Sequence, residues 1–74
     1  METTSSILVF KTNIQSPDDI SLVKPLLDDH PHIERWNVDM EDVDCVLRIV
    51  SERLTEADVI NLITPAGYSC SELE

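Results

Sequence analysis

One glycine, two cysteines and five cations are all that these 74 residues contain of three chemically versatile kinds. A single glycine rules out a glycine-rich cradle for phosphate. Two cysteines, Cys45 and Cys70, allow at most one disulfide and no disulfide framework, so both are expected as reduced thiols. Five Lys and Arg against fifteen Asp and Glu give a net charge of −10, which repels nucleic acid and anionic membrane surfaces. Long apolar runs are missing too. "METTSS" has no basic cluster and leads into only four apolar residues, too few for a signal peptide or a membrane span, so a cytoplasmic location is expected.

Catalytic constellations are equally scarce. There is no pattern of serine, histidine and acid, and the carboxylates read as solvated, with nothing to tune them for proton transfer. The expectation is a protein that is not an enzyme and takes no cofactor.

The residues present describe a fold. A chain of this length makes one small domain, residues 1–74, whose core supplies roughly 3–5 kcal/mol. "SILVFKTN" is β-branched, aromatic and too short for a helix, which predicts a strand near 6–12. Ser16 follows as a helix cap, with Pro17 at the first helical position and Asp18 and Asp19 in the first turn, where the helix dipole favours acids. Ile20, Leu22, Val23, Leu26 and Leu27 share one broad side of a helix over about 17–29. Pro25 lies inside it and predicts a bend or an early frayed end.

After the loop "DDHPH", alternation from Ile33 puts Trp36, Val38 and Met40 on one face and Arg35, Asn37 and Asp39 on the other. "EDVD" is a turn with Asx chemistry. "CVLRIVSE" sends Cys45, Leu47 and Ile49 inward and Val46, Arg48 and Val50 outward, and the short connection makes the two strands an antiparallel hairpin. Thr55 and Asp58 form a variant capping box for a helix burying Ala57, Val59, Ile60 and Ile63, stopped near Thr64 by Pro65. Gly67 suits a left-handed turn into a last strand within "YSCSEL". The order β-α-β-β-α-β predicts an α+β fold: a ferredoxin-like two-layer sandwich, a four-stranded antiparallel sheet with two helices on one face.

In that layout, "W-N-V-D" in the second strand, Ile20 four residues beyond the first loop, and "ITPAGY" near the end resemble the heavy-metal-associated domains of small copper chaperones and metal-pumping ATPases. That family's M-x-C-x-x-C motif, laid on this chain, puts Lys11 at the methionine and Asn13 and Ser16 at the cysteines. Neither supplies the thiolate that copper(I) or zinc needs, and Lys11 adds positive charge. The resemblance therefore implies the fold without the metal function. The helix-to-strand connection "DDHPHI" also departs from the family, being longer and lacking its glycine.

Four candidate sites remain. His30 and His32, with Asp28 and Asp29 nearby, are the donors for a metal-carrier alternative, although two histidines flanking a proline are not a common ligand spacing. Asp39, Glu41, Asp42 and Asp44 crowd the hairpin tip, but Val43 and the lack of glycine argue against a calcium loop. Cys45 and Cys70 are expected as small buried hydrophobes, and the acidic tail with Glu72 and Glu74 works against a Cys70 thiolate. The fourth is the sheet. The family resemblance turns Ile7 and Val9 toward the helices, leaving Leu8, Phe10, Val46 and Val50 as an apolar face for a protein partner or a homodimer. The opposite phase buries Leu8 and Phe10, and since both alternations are apolar the pattern itself leaves the choice open. Strand addition at a sheet edge is the other expected mode of contact.

Overall fold

The computed structural model describes residues 6–73, so the reading of the leader and of Glu74 lies outside the described residues. The elements run β1 (Ser6–Thr12), α1 (Pro17–Asp28), β2 (Arg35–Asp39), β3 (Val46–Ser51), α2 (Glu56–Ile63), a short 3-10 turn (Thr64–Ala66) and β4 (Cys70–Glu72). All pairings are antiparallel and the spatial order is β2-β3-β1-β4, so β1 and β3 are central. Both helices cover the same face, because Val23 and Leu27 of α1 and Val59 and Ile63 of α2 share one cluster with Leu8, Phe10, Leu47 and Ile49. This is the ferredoxin-like two-layer arrangement: among the described residues one sheet face has no helix on it, and the other carries the core. Each fully buried aliphatic side chain there contributes about 1.5–3 kcal/mol.

The helix ends follow the local chemistry. Ser16 accepts the Asp19 N–H at 3.2 Å. At α2, Thr55 accepts the Asp58 N–H at 3.3 Å while the Asp58 carboxylate accepts the Thr55 N–H at 3.0 Å. Pro25 does not end α1, which continues to Asp28. Solvent explains the tolerance, since Ser21, whose carbonyl loses its donor, is exposed. Leu22 is 65% exposed, so the apolar side of α1 is narrower than its sequence suggests, and Ala57 of α2 is exposed as well. Gly67 holds φ +98°. A Cβ there would meet nothing within 4 Å, so the backbone angle and not space calls for glycine.

β1 settles its phase opposite to the one the family resemblance implies. Leu8 and Phe10 are 7% and 0% exposed, while Ile7 is 64% exposed. Lys11 explains why. It alternates with Ile7 and Val9, and a phase that buried those two would drive its ammonium into the core. Thr12, on the buried side with Leu8 and Phe10, has its hydroxyl satisfied: it donates to the Cys45 carbonyl at 2.7 Å and accepts the Ile14 N–H at 3.2 Å. Cys45 is 7% exposed and adopts φ +46°, a left-handed corner at the entry to β3.

Candidate binding face of the sheet

The loop between β1 and α1 is occupied with structural work. Asn13 Oδ1 accepts the Ser69 N–H at 2.9 Å, tying the loop to the corner before β4. Ser16 caps α1. Asp19 completes the junction: Oδ2 accepts the Gln15 N–H at 3.0 Å and Oδ1 accepts the Tyr68 hydroxyl at 2.9 Å. Those two bonds, the backbone one first, hold its carboxyl below the ordinary 3.8. The side-chain oxygens at both positions that match the family's cysteines thus accept backbone hydrogen bonds.

His30 and His32 lie close together, with ring centroids 5.8 Å apart, and His30 Nδ1 accepts the His32 N–H at 3.1 Å. The concavity beside them is also lined by Arg53 and Asp58. Arg53 brings positive charge, and Asp58 is engaged in the α2 cap. Among the described residues, no group of three or more His, Cys, Asp or Glu side chains is placed to hold a metal ion. Asp28, near the pair in sequence, is engaged elsewhere: it accepts Lys24 Nζ and the Trp36 indole N–H, both at 2.8 Å. These contacts, Lys24 first, hold its carboxyl below 3.8.

At the hairpin tip the carboxylates organise the turn. Asp39 accepts the Glu41 N–H at 3.1 Å and Asp42 accepts the Asp44 N–H at 2.9 Å, the Asx pattern expected there. Both cysteines are free thiols. Burial pushes the Cys70 thiol up to about 11.

The sheet face without helices is a different surface from the one anticipated. Leu8 and Phe10 belong to the core for the reason given above, and Val46, though it alternates outward, is only 2% exposed. None of these three is available to a partner. Val50 is half-buried and remains on the face. Around it are Ile7, Arg35, Trp36, Asn37 and Arg48, which line a shallow groove of about 210 Å³. The strand register builds this groove directly, with Ile7 and Arg35 each opposite Val50 and Asn37 opposite Arg48.

The groove joins apolar surface to positive charge. Lys11, Arg35 and Arg48, three of the five basic residues of the chain, alternate onto this face, with Asp39 at its far end opposite Val46. Among the described residues neither arginine forms an ion pair, and the ion pair seen is Lys24 with Asp28 at 2.8 Å on α1. Sequence alternation identified Arg35, Asn37, Arg48 and Val50 as outward-facing. It left Ile7 open between the two phases of β1, and the signal that could have decided it was Lys11, four residues later in the same phase. Two further residues that sequence reading passed over are the buried hydroxyls of Thr12 and Ser51, the latter 0% exposed. Ser51 Oγ donates to the His32 carbonyl at 2.6 Å and accepts the N–H groups of Arg53 and Leu54, both at 3.1 Å.

No helix among the described residues is long and apolar enough to cross a membrane. A scan against protein-family models and a search of curated proteins each return no match to this chain.

Proposed function

We propose that this chain is a non-enzymatic protein-interaction module that binds through the face of its sheet opposite the helices. The observation that carries the reading is the groove on that face, where Ile7 is 64% exposed beside half-buried Val50 and two guanidiniums that form no ion pair among the described residues. Apolar surface exposed together with oriented charge is what a contact site needs: area to remove from water, and groups that fix the partner's orientation.

The scaffold reads as a relative of the heavy-metal-associated domains whose first loop has exchanged ligand chemistry for structural chemistry. Asn13 and Ser16 support this, since each spends its side-chain oxygen on a backbone N–H. In this reading the protein acts in the reducing cytoplasm, consistent with its two free thiols.

Site-specific photo-crosslinking tests the proposal in cells. Benzoylphenylalanine replacing exposed Asn37, on the open face, should give discrete protein adducts that Ile7→Lys abolishes. The same probe at exposed Asn61, on α2, should not. Adducts from position 61 alone, or adducts from position 37 indifferent to Ile7→Lys, would defeat the reading.

A further inference from the structure

Resting on the sheet-face reading above, we propose that the groove takes an extended, acidic peptide segment carrying apolar and Asp or Glu side chains at alternate positions. Two features of the groove select that chemistry. Its floor is apolar, from Ile7 and Val50, and only an apolar side chain gains by covering it. Arg35 and Arg48 flank that floor with no ion pair among the described residues. Any partner that covers the floor removes water from these guanidiniums, and a buried charge left unpaired is strongly unfavourable, so the partner must bring acceptors. Carboxylates match the planar guanidinium fork best.

Geometry sets the spacing. Arg35 is opposite Val50, two residues along β3 from Arg48, so the two arginines are diagonal neighbours on one face. Diagonal neighbours on antiparallel strands lie roughly 7–8 Å apart. Side chains two residues apart on an extended peptide lie about 6.6–6.8 Å apart on one side. Val50, two residues from Arg48 along β3, shares its row with Arg35 and Ile7, so a strand lying along β3 with a carboxylate at Arg48 places an apolar side chain two residues on over the floor, beside Arg35. The exposed Asn37 amide, opposite Arg48 and two residues along β2 from Arg35, can hydrogen-bond the peptide backbone.

Charge also selects against one alternative. A nucleic acid would carry its phosphates past a body of net charge −10, whereas a short acidic segment engages only the local cations. A peptide strand of opposite sign is the occupant that the face fits.

Selection from a random peptide display library on the full chain tests this. Enriched sequences should carry Asp or Glu two residues from a large apolar side chain, and the synthesised peptides should shift the methyl resonances of Ile7 and Val50. Each of Arg35→Gln and Arg48→Gln should weaken binding about tenfold, the loss expected for one charge-assisted contact. Arg35 is exposed, so Arg35→Gln decides the matter even if Arg48→Gln perturbs the fold, and Arg48→Lys separates loss of the fork from loss of charge. Neutral apolar peptides that bind the same methyls equally well would overturn the acidic preference and leave the sheet-face reading standing. Peptides that shift only helix resonances, or a library that yields none, would overturn both.

Discussion

Tyr68 donates its hydroxyl to Asp19 Oδ1 at 2.9 Å, joining residues separated by 49 positions in the chain. The bond ties the corner before β4 to the first turn of α1, across the loop that Asn13 already fastens to Ser69. One carboxylate therefore serves a loop amide and a distant phenol at once. Burial, and then this bond, raise the Tyr68 pKa above 10.0.

The Asp19 contact makes stability depend on pH with a definite sign. A carboxyl whose folded pKa lies below 3.8 contributes stability that is present above 3.8 and lost as pH falls through its lowered value. Tyr68→Phe removes one of the causes of that lowering. Urea titrations should show the variant less stable than the parent at pH 7, with the difference narrowing below pH 3.8. A gap that stayed constant down to pH 2 would mean that the bond does not act through the ionised carboxylate.

The phase of β1 is tested by an adjacent-face pair of substitutions. Phe10→Ala should cost about 3–5 kcal/mol, comparable to the roughly 3–5 kcal/mol that a core of this size supplies, and should leave the chain largely unfolded at 25 °C. Ile7→Lys should change stability by no more than about 0.5 kcal/mol. Circular dichroism melts distinguish them, and a folded Phe10→Ala beside an unfolded Ile7→Lys would reverse the assignment.

Ser51 predicts an effect larger than its size suggests. Ser51→Ala strands the His32 carbonyl and the N–H groups of Arg53 and Leu54, so a loss of about 2 kcal/mol or more is expected. Hydrogen exchange at the Arg53 and Leu54 amides should accelerate at the same time. A change below about 0.5 kcal/mol would show that water replaces the hydroxyl without cost.

Cys70 should be a sluggish nucleophile. Its pKa, raised by burial from 9.0 to about 11, leaves roughly a hundredfold less thiolate at neutral pH than an unperturbed cysteine has. In a Cys45→Ala background, iodoacetamide should alkylate Cys70 far more slowly than free cysteine. Reaction at or above the free-thiol rate would reopen a redox role. The same shift favours the neutral thiol in the folded state, and that contribution fades as pH rises from 9.0 through about 11.

What the sequence revealed divides along physical lines. Ser16, Thr55, Pro17 and Gly67 act on their immediate neighbours, so caps, helix starts and the left-handed corner could be read locally. The alternation of Arg35 to Asp39 against Trp36 and Val38 mixes polar with apolar residues, and its face was legible for that reason. β1 offered Ile7 and Val9 against Leu8 and Phe10, two apolar rows between which hydropathy does not discriminate. The family resemblance pointed to the wrong row, and the side chain that decides between them, Lys11, lies at the strand's end. The groove needed register as well, because Ile7, Arg35 and Val50 meet only when three strands align. The roles of Thr12 and Ser51 depend on carbonyl and amide groups up to 33 residues away, which no local pattern encodes.

Thr12 and Ser51, one at the end of each central strand, also bear on how the chain avoids misassembly. If β1 slid by a single position against β3, its inward row would become Ile7, Val9 and Lys11. The Thr12 hydroxyl would leave the Cys45 carbonyl, and an ammonium would enter oil in its place. The two helices could not cover such a slipped pairing without burying that charge, so the packed core itself enforces the alignment.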